Sequence, residues 1–264
     1  TLLSAVLNPA GFSTSTADQA KLTAFNQLRT QDLSSDVIRA ASHVTDSAMA
    51  ANAALQNPPT VGTAFPNTGL GNQLKQVALM IKKKDDLNIN RQIFFVQMGG
   101  FDTHSNQVTS STTGQNGLFI QLSQAMRAFY AEMVAQGMEN NVTMFTMSDF
   151  SRTFNPAGTG SGVDGTDHGW ANHHFVIGGG VAASDFYGNN TSNGTPFPTL
   201  TIGAAGPDDT DSSSGARGRW IPTVSVEQYA ATLARWFGLP ENELAQVFPV
   251  INNFPVNNLG FMQL

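Results

Sequence analysis

The chain contains no cysteine. That excludes disulfides, thiolate metal sites and thiol nucleophiles, and it is compatible with export from a bacterial cell. Charge is also scarce: Asp, Glu, Lys and Arg make up 12% of the 264 residues, about half the usual share. The net charge is −6, and the longest basic run is Lys82-Lys83-Lys84. Binding to phosphate backbones needs clustered positive charge, so nucleic acid is excluded as an expected partner. The lysine triplet reads as a solvated helix end, where cations suit the dipole. No apolar stretch approaches the roughly 18–20 residues of a membrane span. In place of charge the chain carries Asn, Gln, Ser, Thr and Gly, and its 41% hydrophobic content suffices for one large core.

Local patterns divide the chain into a mainly helical lead-in over 1–90 and a strand-bearing remainder over 91–264, within one expected domain. Thr16-Ala-Asp-Gln19 has capping-box spacing and opens a helix toward Arg29. Ser35 to Gln56 is an Ala-rich helical stretch carrying His43, read as a surface or packed histidine. Gly71 to Lys84 places Leu74, Val77, Ala78 and Ile81 on one face. Gln92 to Met98 reads as a buried strand. Leu118 to Gln136 follows as an amphipathic helix with Leu118, Leu122, Met126, Phe129 and Met133 facing a core. Val142 to Met147 is a second apolar strand. Strand, helix and strand in this order predict a βαβ unit, hence an α/β fold with a parallel sheet. His174 to Ile177 gives a third strand into Gly178-Gly-Gly180, a run without the Lys-Ser/Thr of a phosphate loop. Asp208-Asp-Thr-Asp211 departs from the EF-hand pattern and reads as a solvated loop. Ser225-Val-Glu-Gln228 caps a last long helix ending near Phe237.

The chemistry concentrates at the ends of the expected strands, where ligands gather in parallel α/β folds. Asp102 and His104 follow the first strand at i and i+2, a spacing that points both side chains the same way in extended backbone. Asp149 and Arg152 follow the second strand. Asp167 and His168 lie in a Gly-rich segment ahead of the third, which is expected to fold over the site. Asp and His together suit zinc, manganese or iron. Arg152 suits bidentate binding of phosphate, sulfate or carboxylate, or an ion pair with Asp149. Asp102-x-His104 taken alone also fits an Asx-type turn with a surface histidine. His173 and His174 point to opposite faces, and Trp170 reads as a packing anchor.

Three motifs occur in order: Gly99-Gly-Phe-Asp-Thr-His104, Ser148-Asp-Phe-Ser-Arg-Thr153 and Gly165-Thr-Asp-His-Gly-Trp170, followed by Phe175-Val-Ile-Gly-Gly-Gly180. In these the chain resembles the bacterial family called domain of unknown function 1501, usually exported, and Arg219-Trp-Ile-Pro-Thr223 and Tyr229 to Phe237 resemble its C-terminal region. The likeness covers most of residues 70–264. That family is similar to the alkaline phosphatase and sulfatase superfamily. The resemblance implies a parallel-sheet sandwich with flanking helices, one metal held by Asp102, His104 and His168, and Asp149 at the position of a second. Phe150 stands where that superfamily commonly has His, and Ser151 where the family usually has Gly. No apolar strand in residues 1–90 ends in Asp, so the family's first strand motif is expected to lie outside this chain. With Thr1 rather than Met at its start, the chain is expected to be processed or incomplete.

The resulting expectation is a periplasmic or extracellular metal-dependent hydrolase of phosphate or sulfate esters, with zinc or manganese as cofactor. Arg152 would neutralise an anionic small-molecule ester, and no nucleophile can be named. An N-terminal fragment of the same precursor and a second copy of the chain are the expected protein partners. The alternatives are a non-catalytic secreted surface or assembly protein on a degenerate hydrolase fold, and carbohydrate or anion binding without turnover.

Overall fold

In the computed structural model, residues 15–55, 59–87, 89–110, 112–158, 163–182, 185–187 and 217–263 are described. The Asp208–Asp211 loop lies outside them. Two compact units emerge, one of residues 1–61 and 76–94 and the other of residues 62–75 and 95–264.

The first unit is helical. Helix α1 (Thr16–Arg29) is capped one residue earlier than expected: Ser15 is the N-cap, and its hydroxyl accepts from the Asp18 amide at 3.2 Å. Helix α2 spans Asp36–Leu55. Arg29 ties the two together, meeting Asp46 at 2.7 Å and the buried Ser42 hydroxyl at 3.2 Å. His43 is exposed. Helix α3 (Gly69–Lys82) contributes its later turns to this unit, with Val77, Ala78 and Ile81 buried as the periodicity predicts. Two of the three lysines at its end are ion-paired, Lys83 with Asp86 and Lys84 with Asp85, each at 2.6 Å.

The second unit is built on helix α4 (Gly114–Ala135), which buries Met126, Phe129 and Met133. Its Glu132 is also buried, at 1% exposure. A buried carboxylate is costly unless bonded, and Glu132 accepts from the Thr63 amide at 3.0 Å and the Gln136 side chain at 2.9 Å. Helix α5 (Val226–Phe237) opens with the expected capping box. The Ser225 hydroxyl accepts from the Gln228 amide at 3.1 Å, and the Gln228 side chain accepts from the Ser225 amide at 2.9 Å. Gly238, at φ 106°, closes it in the left-handed region that favours glycine. The short helix α6 (Leu244–Val247) follows. Ala231, Leu244 and Ile251 form one core cluster, and Leu233, Phe261 and Met262 another.

The expected parallel-sheet sandwich of the alkaline-phosphatase kind does not form. Among the described residues the strands make two small antiparallel sheets. Strand β1 (Met144–Phe145) pairs with β4 (Val176–Ile177), Met144 opposite Ile177. Strand β2 (Ser151–Pro156) pairs with β3 (Thr166–Gly169), Arg152 opposite His168. The βαβ expectation fails because β1 finds its partner later in the chain and in the opposite direction. Residues 92–98 alternate between half-buried and exposed positions, as a strand does, yet form no ladder. Phe95 is 87% exposed. The Gln73 side-chain amide stands in for a neighbouring strand there: it accepts from the Gln97 amide at 3.0 Å and donates to the Gln97 carbonyl at 2.9 Å.

The glycine run serves packing. A Cβ on Gly178 would lie 2.6 Å from the Val142 carbonyl oxygen, and one on Gly179 2.2 Å from the Asn140 side chain. Only glycine lets the backbone approach so closely.

Candidate metal centre

Strands β2 and β3 form the floor of the site. Directly opposed residues in an antiparallel ladder project to the same face, which brings Arg152 and His168 together. The Gly165–Trp170 motif, expected as a loop, is therefore largely strand. Between Arg152 and Pro156 the register slips into a bulge. The Thr153 hydroxyl fills it, accepting from the Asp167 amide at 3.1 Å and donating to the Asn155 carbonyl at 2.9 Å.

The Asp102–His104 turn is fastened to this floor by backbone bonds. The Thr166 amide donates to the Thr103 carbonyl at 3.1 Å, and the Gln107 amide to the Asp164 carbonyl at 2.9 Å. Inside the junction, Gln107 Oε1 accepts from the buried hydroxyls of Thr103 at 3.0 Å and Thr166 at 2.5 Å. Residue 165 must be glycine for the turn to dock, because a Cβ there would lie 2.0 Å from the His104 carbonyl oxygen.

The docking brings three donor atoms together. Asp102 Oδ1 lies 3.0 Å from His104 Nε2 and 2.8 Å from His168 Nε2, and the two histidine nitrogens are 3.2 Å apart. All three residues are solvent-exposed. Arg152 Nη1 also donates to Asp102 Oδ1, at 2.8 Å. The hydrogen bond from Arg152 first, then that from His168, hold the Asp102 carboxyl below the usual carboxylate range. A carboxylate that binds metal must be ionised, and these bonds extend the ionised range of Asp102 further into acid.

The geometry suits a cation. Bonds of about 2.0–2.1 Å to a tetrahedral ion place neighbouring ligand atoms roughly 3.3 Å apart, close to the separations found. One proton on a histidine Nε2 leaves the other nitrogen's lone pair facing the carboxylate, whereas a cation would take all three atoms as ligands at once.

Arg152 departs from its expected role. Its side chain is only 10% exposed. Nη1 holds Asp102, Nε donates to Thr166 Oγ1 at 3.0 Å, and Nη2 donates to the Thr166 carbonyl. The guanidinium carbon also lies 5.6 Å from the Phe150 ring centroid. It thus buttresses Asp102, and its ion-pair partner is Asp102 in place of the alternative Asp149. Asp149 is exposed in the turn before β2 and stands apart from the trio. Asp167 lies at the edge of the cluster, with Oδ1 3.4 Å from His104 Nδ1 and Oδ2 2.5 Å from Arg217 Nη1.

Two contributors escaped the sequence reading. Phe150, noted only for replacing a histidine, stacks on His168 with ring centroids 4.4 Å apart and planes at 21°. Arg217 is brought in because residues 217–218 return alongside β2, with the Asn155 amide donating to the Arg217 carbonyl at 2.8 Å. Its one sequence signal was the scarcity of arginine in a weakly charged chain. An open cleft of about 430 Å³ adjoins Asp102, with Thr103, Ser105, Asn106, Thr109 and Thr113 in its wall.

A family model described as "Protein of unknown function (DUF1501)" matches residues 11–197, more than half of the chain. The chain belongs to this family. All three site motifs fall within the matched span, which begins well before residue 70. The DUF1501 match ends short of Arg217 and of the C-terminal helices. No curated protein and no solved structure matches the chain. Among the described residues no helix is long and apolar enough to cross a membrane.

Proposed function

We propose that this DUF1501 chain is a metal-dependent hydrolase of phosphate or sulfate esters, with a single divalent ion, zinc or manganese, held by Asp102, His104 and His168. The observation that carries the metal reading is the convergence of their three donor atoms within 3.2 Å of one another, close to the spacing of ligand atoms around a tetrahedral ion. The ester reading draws on the expected kinship of the DUF1501 family with metal-dependent phosphatases and sulfatases, and on the open cleft beside Asp102. An ion at this position polarises an ester oxygen and stabilises the charge that develops on it. The protein's own residues prepare the site: Arg152 holds Asp102 in place, Phe150 orients the His168 ring, and Gly165 lets the Asp102 turn dock. An exported location fits the cysteine-free composition.

The test is metal content and turnover on the same protein. After exposure to zinc or manganese and removal of excess, elemental analysis should find about one ion per chain, largely lost in His104→Ala and His168→Ala. Aryl phosphate or aryl sulfate should be hydrolysed, and Asp102→Asn should abolish it. Folded protein that takes up no metal would sink the proposal. Metal uptake without turnover of either ester would leave a metal-binding surface or assembly protein. That second reading is favoured by the exposure of Phe95, Met147 and Trp170, at 87%, 61% and 68%.

A further inference from the structure

Metal-binding histidines work through one nitrogen, and which one is free depends on the partner of the other. At His104 the nitrogen facing Asp102 and His168 is Nε2, while Nδ1 faces Asp167 Oδ1 at 3.4 Å. An ionised carboxylate only accepts. At 3.4 Å the contact is an electrostatic one rather than a formed hydrogen bond; the carboxylate's charge favours the proton on His104 Nδ1, which leaves the Nε2 lone pair aimed at the centre. Asp167 is fixed in turn: its amide donates to Thr153 Oγ1 at 3.1 Å, and Oδ2 accepts from Arg217 at 2.5 Å. The Arg217 guanidinium also donates to the Pro156 carbonyl at 3.3 Å, so the arginine is anchored to the end of β2.

We propose that Asp167, held by Arg217, is a positioning residue that fixes the tautomer and ring orientation of His104 and so presents Nε2 to the metal. The proposal rests on the metal-centre reading above. It gives Asp167 a role distinct from that of direct ligand, since Asp167 lies behind the ring and outside the three-atom cluster. Arg217 keeps the carboxylate from turning into the centre itself. The chain thereby sets up a carboxylate–histidine–metal relay, with the second arm supplied by a residue some fifty positions further along.

The experiment is zinc titration of the full chain and of Asp167→Ala, Asp167→Asn and Arg217→Ala. It is paired with long-range proton–nitrogen NMR of the histidine rings in metal-free protein. Loss of this kind of partner typically weakens metal affinity about 10–100-fold. Asp167→Ala is expected in that range, Asp167→Asn between it and the parent because the amide oxygen still accepts, and Arg217→Ala near Asp167→Asn. The parent should show His104 protonated at Nδ1, with that population falling in Asp167→Ala. Zinc affinity in Asp167→Ala within twofold of a zinc-binding parent, or a parent His104 protonated at Nε2, overturns the proposal. If Asp167→Ala fails to fold, the near-isosteric Asp167→Asn decides by the same two readouts. A parent that binds no zinc is a different result, ending the metal centre itself and this inference with it.

Discussion

Arg152→Ala is the perturbation that separates a buttress from a substrate-binding arginine. The side chain is nine-tenths buried and donates to Thr166 through two nitrogens. Hydrogen bonds to a charged group contribute roughly 1.5–3 kcal/mol each when intact, and the contact with the Phe150 ring adds about 0.5–1 kcal/mol. The bond to Asp102 adds little to stability, because that carboxylate is 53% exposed and surface ion pairs are weak. With water able to reach Thr166 after truncation, the net cost should be about 2–4 kcal/mol. Urea unfolding followed by circular dichroism should show a lower midpoint with an unchanged slope. Arg152→Lys should recover less than half of the loss, since one ammonium cannot span Asp102 and Thr166 together. Removing the arginine also removes the chief cause of the lowered Asp102 carboxyl. A carboxyl depressed in the folded state stabilises above its unfolded value near 3.9, and that contribution fades as pH falls through the folded value. The part of the acid limb that comes from Asp102 should therefore shrink in Arg152→Ala, because less of that contribution is present to be lost. A variant within about 0.5 kcal/mol of the parent with the same acid limb would refute the buttress assignment.

Other outcomes follow from the same contacts. Gly165→Ala sets a Cβ against the His104 backbone, so it should cost about 1–3 kcal/mol and weaken zinc uptake in a titration. Met133→Ala removes a side chain that is 1% exposed and should destabilise by about 2–5 kcal/mol, read by thermal melting, without altering zinc affinity per folded chain. Burial lowers His173, and burial together with the neighbouring His173 lowers His174. As pH drops below about 6.5 the unfolded chain takes up protons first, so stability should fall there. His174→Gln should flatten that part of the pH profile, modestly because His174 is exposed although its ring stacks on Tyr229.

Much of the helical architecture was legible because its signals are local. Ser225 and Gln228 cap α5 as their spacing predicts, and Leu74, Val77, Ala78 and Ile81 bury the face that their periodicity marks. The start of α1 slipped by one residue, since Ser15 and Thr16 are both competent caps and only backbone geometry chooses between them. The strands were misread for a different reason. Alternation reports that a segment is extended, as 92–98 is, but says nothing about which segment pairs with it or in which direction. Residues 142–147 look like a central parallel strand, yet only Met144 and Phe145 enter a ladder, antiparallel to Val176 and Ile177.

By itself the sequence determined the helices, the absence of thiol chemistry and the three motifs that carry Asp102, His104 and His168. These depend on residue identity and short-range spacing. The tertiary structure alone decided that those three donors meet within 3.2 Å, that Arg152 faces inward as a buttress, and that Arg217 reaches Asp167. Asp102 and His104 are local neighbours, but the contacts that join them to His168, Asp102 to Arg152 and Asp167 to Arg217 link residues about fifty or more positions apart. The β2–β3 register and the docking of the Asp102 turn against Gly165 bring them together, and no local pattern encodes either.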